Sequence, residues 1–76
     1  MNSLQGMIQM QSNDFEKTIN EIVEALKERG YNPYEQLQGY ISLGDDSYIT
    51  RHNGAREKIH TLDIEQISKY LKEHGW

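Results

Sequence analysis

The side chains best suited to chemistry in this 76-residue sequence gather in one stretch: Arg51, His52 and Arg56, preceded by Asp45, Asp46 and Ser47. Two guanidinium groups and an imidazole so close together suit an anion, a phosphate or an acidic protein surface. On paper the same residues also supply an acid, a base and a nucleophile. Catalysis, however, needs a concave pocket that strips water and shifts pKa values, which a domain of this size made of short helices rarely offers. No catalytic residue is therefore assigned. His52, His60 and His74 are not three or four residues apart, so no two of them share a helical face as metal ligands do. Asp45 cannot open a calcium loop, because the twelfth position counted from it is Arg56 where a bidentate carboxylate is required. No metal or cofactor site follows from these spacings.

These residues must be positioned by helices. Phe15, Ile19, Ile22, Val23 and Leu26 recur at helical spacing, with Asn13 and Glu16 forming a capping box and Gly30 placed to end the helix in a left-handed turn. Asn32, Pro33 and Glu35 then signal a second start, and Tyr34, Leu37, Tyr40 and Ile41 give an apolar stripe that should stop near Gly44. Gly39, inside that helix, costs about 1 kcal/mol relative to alanine. It reads either as drift or as the close approach of a neighbouring helix. A short third helix is expected around residues 52–60, capped by Thr50 or Asn53, and a last one from Asp63 through Ile64, Ile67, Tyr70 and Leu71 to Gly75. Residues 1–12 carry no charge and no periodic pattern, and read as a flexible tail before a single helical domain over residues 13–76.

Composition narrows the function. Eight basic against twelve acidic residues give a net charge of −4, which argues against nucleic-acid binding by phosphate neutralisation. A helix-turn-helix DNA-binding protein is the alternative reading, with Arg51, His52, Asn53 and Arg56 on its second helix. A third reading has Arg51 and Arg56 simply capping helices and pairing with nearby carboxylates. No apolar run is long enough to span a membrane, and no export signal is visible at the start, so the expected location is the cytoplasm. Five tyrosines in so short a chain suit a partly polar homodimer interface. Tyr34, Leu37, Tyr40, Ile41, Tyr48 and Ile49 are the candidates for dimer or core packing.

The stretch "GYNPYEQLQGYISLGDDSYITRHNGAR", Gly30 to Arg56, resembles the signature of the IreB (ReoM) family of small regulatory phosphoproteins of Gram-positive bacteria. Gly30 to Pro33, Gln36 or Leu37, Gly39 and Tyr40, Gly44 and Asp45, Tyr48 and Ile49, Arg51 and His52, and Ala55 and Arg56 carry the likeness without a gap. It implies an all-α fold of four short helices in an intertwined homodimer, with no enzyme activity. It further implies a target of a Ser/Thr kinase and its partner phosphatase that tunes peptidoglycan synthesis and antibiotic tolerance. In some species this works by steering proteolysis of a cell-wall enzyme. Residues Arg51, His52 and Arg56 match the functional protein-contact surface. Three departures mark a divergent, shortened member. No threonine precedes Thr18, leaving Ser3 and Ser12 as the tail hydroxyls open to phosphorylation, and Thr50 stands where the family has a proline. The region between Ile59 and Tyr70 is also shorter by several residues.

Overall fold

The computed structural model describes the backbone of residues 2–74 and the side chains of residues 14–74. Among these residues there are four α-helices and no strand: α1 (Asn2–Glu28), α2 (Pro33–Leu43), α3 (Ala55–Ile59) and α4 (Ile64–His74). Two 3₁₀ turns, Asp46–Tyr48 and His52–Gly54, fill the connection between α2 and α3. No helix among the described residues is long and apolar enough to cross a membrane.

Local chemistry explains most boundaries. At the end of α1 the Tyr31 amide donates to Leu26 O and the Gly30 amide to Lys27 O, both at 2.9 Å, while Gly30 turns left-handed at φ 83°. This reverse-turn cap satisfies two carbonyls that the helix would leave open, and glycine adopts it without a Cβ penalty. Asn32 then caps α2, its Oδ1 accepting from the Glu35 amide at 3.1 Å, with Pro33 at the first helical position. Gly44 closes α2 in the left-handed region at φ 65°. Asp63 Oδ1 accepts from the Glu65 amide as α4 begins.

Two starts differ from expectation. The α1 backbone is helical from Asn2, so Asn13 does not cap it. No proline interrupts residues 2–12, and each residue added to an existing helix needs only one further bond. The side chains of residues 1–13 lie outside the described residues, and with them the expectations of a tail over 1–12 and of phosphoacceptors at Ser3 and Ser12. The expected helix over 52–60 begins only at Ala55, because Asn53 (φ 53°) and Gly54 (φ 71°) are both left-handed and a right-handed helix cannot pass through them. Thr50 Oγ1 instead accepts from the His52 amide at 3.1 Å, just ahead of the second 3₁₀ turn.

The core joins Ile19, Ile22, Val23, Ala25 and Leu26 of α1 to Leu37 and Tyr40 of α2, Ile49, Ala55 and Ile59, and Ile67, Tyr70 and Leu71 of α4. Helix α1 packs chiefly on α3, and α2 on α4. Each large aliphatic residue so buried contributes about 1.5–3 kcal/mol. Ile64, expected in the α4 stripe, is 45% exposed instead. At the far end Phe15 meets Tyr70 edge-on, with ring centroids 6.2 Å apart. Burial pushes the Tyr70 phenol above its usual pKa, and the Glu16 carboxylate adds to the shift.

Candidate functional site

The connection from Gly44 to Gly54 carries Arg51, and several separate contacts hold it. Ile49 is fully buried and pins its middle to the core. Gln36 on α2 donates from Nε2 to Tyr48 O at 2.7 Å, and Arg56 on α3 donates from Nε to Ile49 O at 2.9 Å. The Tyr48 ring lies against Gly39, where an added Cβ would stand 2.7 Å from two ring carbons. Gly39 is thus explained by close approach, though the neighbour is an aromatic ring from a turn rather than another helix.

The first 3₁₀ turn is capped by Asp45, whose Oδ1 accepts from the Ser47 amide at 3.0 Å and the Ser47 hydroxyl at 2.8 Å. Those two bonds hold the Asp45 carboxyl below its ordinary pKa, with a smaller pull from the Arg56 charge. The second turn is tied to the end of α1: His52 Nε2 lies 2.7 Å from Glu28 Oε1, and Asn53 Nδ2 donates to the same oxygen at 3.3 Å. His60 Nε2 lies 2.8 Å from Asp46 Oδ2, which joins the first turn to the end of α3.

The structure therefore separates the three residues singled out by sequence. His52 is engaged with α1, Arg56 is half-buried with one nitrogen committed to the backbone, and Arg51 is exposed. Among the described residues Arg51 has no side-chain partner. Arg51 and Arg56 come together on an open groove of about 600 Å³ that Asp46, Gly54, Glu57 and His60 complete. Pairing of Arg51 or Arg56 with Asp45 or Asp46, one of the readings of the sequence, is not what fixes them. Asp46 is engaged by His60, and Arg56 reaches Asp45 only through its field. Of the packing candidates, Leu37, Tyr40 and Ile49 are buried within the chain, and Tyr34, Ile41 and Tyr48 pack partly against that core.

Glu28, Gln36 and His60 were not foreseen as parts of this arrangement. Each acts on a residue at least twelve positions away, a relation that leaves no periodic trace in sequence. The geometry differs from the two-helix unit of the DNA-binding reading. Helix α3 is five residues long, and Arg51, His52 and Asn53 precede it in a turn rather than lying along it. Among the described residues no three His, Asp or Glu side chains converge as metal ligands.

The connection that displays Arg51 lies within the ungapped stretch from Gly30 to Arg56. The match to known families agrees with the motif: the model of a family described as IreB regulatory phosphoprotein covers residues 4–74, and the chain belongs to that family.

Proposed function

We propose that this protein is a non-enzymatic cytoplasmic regulator that acts through protein–protein contacts made by the Arg51 face. It works as a homodimer, downstream of a Ser/Thr kinase and its opposing phosphatase, on cell-wall synthesis and antibiotic tolerance. The observation that carries the reading is the contrast among neighbours: Gln36, Tyr48, Arg56, His52 and Asn53 all hold the connection in place, while Arg51 is left exposed. Arginine is enriched at binding surfaces because its planar fork makes paired hydrogen bonds.

Support for the homodimer comes from apolar surface left uncovered by one chain. Leu43 is 67% exposed, Tyr31 48% and Ile64 45%. A domain of this length gains stability by covering such groups with a second copy. Sedimentation at micromolar concentration tests this part, and a folded monomer there would exclude it. For the contact surface, the native protein and its Arg51→Ala variant are used to retrieve partners from the native host. The expected result is an unchanged melting temperature and loss of the partner; retention of the partner by a folded variant would reject the assignment.

A further inference from the structure

The groove bearing Arg51 has the make-up of a site for a particular kind of anion. Its lining is Arg51, Arg56, His60, Asp46 and Glu57, with Gly54 adding no side chain. Asp46 Oδ2 is engaged by His60 Nε2 at 2.8 Å. The two guanidinium groups share the groove with Glu57, the carboxylate there that has no hydrogen-bond partner among the described residues. Arg56 is already oriented, since its Nε bond to Ile49 O fixes the guanidinium plane and leaves the terminal nitrogens without a partner among the described residues. Orientation made in advance lowers the entropy cost of binding a ligand.

Glu57 decides between ligand classes. A single carboxylate carries one charge and would meet one guanidinium at a time beside a competing Glu57 carboxylate. A phosphate monoester carries about −1.5 to −2 charge and three acceptor oxygens, enough to engage both arginines together. Nucleic acid is disfavoured, because its phosphates each carry one charge and the chain as a whole is at −4.

We propose that the groove between the two 3₁₀ turns and α3 binds a phosphorylated serine or threonine side chain of a partner protein, with Arg51 and Arg56 gripping the phosphate. The proposal rests on the reading of the Arg51 face as a protein-contact surface and names what that surface recognises.

The test is an amide NMR titration of the full chain with O-phospho-L-serine, in parallel with L-aspartate and a short single-stranded DNA. Saturable shifts are expected at residues 46, 51, 54, 56, 57 and 60, with a Kd on the order of millimolar, as suits a few charge-assisted bonds. Aspartate should bind at least about tenfold more weakly, Arg51→Ala should lose about tenfold, and Glu57→Gln should bind more tightly than the native chain. A gain from Glu57→Gln would not arise from a merely structural role. The proposal is overturned by absence of saturable shifts, by equal binding of aspartate, by unchanged binding in a folded Arg51→Ala variant, or by preferential binding of the DNA.

Partner capture separates this claim from the one beneath it. Loss of capture by Arg51→Ala without phosphoserine binding would reject the phosphate site and keep the contact surface. Phosphoserine binding with capture unaffected would keep the phosphate site and reject the contact surface.

Discussion

Ile22 on α1 and Ile49 in the connection after α2 are both fully buried, but what holds their surroundings differs. Ile22 belongs to the apolar stripe of α1, with Ile19, Val23, Ala25 and Leu26 buried beside it on the same helix. Around Ile49 each fixing is single: one glutamine bond to Tyr48 O, one arginine bond to Ile49 O, and one tyrosine ring over Gly39. The lesson is that both isoleucines contribute stability as parts of one core, while the connection around Ile49 is in addition fixed in shape at discrete points.

The largest effect should come from truncating either isoleucine. Ile22→Ala and Ile49→Ala are each expected to cost about 2–5 kcal/mol in chemical denaturation. Only Ile49→Ala should also broaden the amide resonances of residues 45–54, and equal broadening in both variants would break the comparison. Gly39→Ala comes next. The gain in helix propensity of about 1 kcal/mol is outweighed by forcing a methyl group against the Tyr48 ring, for a net loss of about 1–2 kcal/mol. Combined with Tyr48→Ala, the same substitution should no longer be harmful, and a double-mutant cycle that proves additive would remove the ring contact from the account.

The two arginines give a finer test. Arg56→Ala leaves the Ile49 carbonyl without its partner and should cost about 1 kcal/mol, while Arg51→Ala should stay within about 0.5 kcal/mol of the native chain. Thermal melts of the pair would show which arginine is structural, and a reversed order would undo the assignment. Lys58 Nζ lies 3.2 Å from Glu21 Oε1 across α1 and α3, both partly exposed. Its loss should cost no more than about 0.5 kcal/mol and matter less in high salt.

The smallest effect concerns acid. The Asp45 carboxyl sits below its ordinary value of 3.8 in the folded chain, so it favours folding above that value and loses its contribution as pH falls through the lower, folded one. Asp45→Asn should flatten the loss of stability below about pH 4. An unchanged acid limb in denaturation measured across pH would show that the Ser47 cap contributes nothing.

How much of this was legible in the sequence follows from the range of each interaction. Gly30, Asn32, Pro33 and Gly44 bound their helices because caps act on amides and carbonyls within a few residues, and α1 shows its apolar stripe because helical geometry repeats every 3.6 residues. The late start of α3 was harder to foresee, since Asn53 tolerates a left-handed conformation without requiring it.

The sequence by itself determined the all-helical class, the helix ends marked by Gly30, Asn32, Pro33 and Gly44, and the closeness in sequence of Arg51, His52 and Arg56, all matters of local spacing. Only the tertiary structure decided that those three residues do different work. Glu28 reaches His52 across 24 positions, Gln36 reaches Tyr48 across 12, and Arg56 turns back to Ile49, leaving Arg51 exposed. A hydrogen bond needs its partners within about 3 Å of each other, and for residues so far apart along the chain only the packing of the helices brings that about.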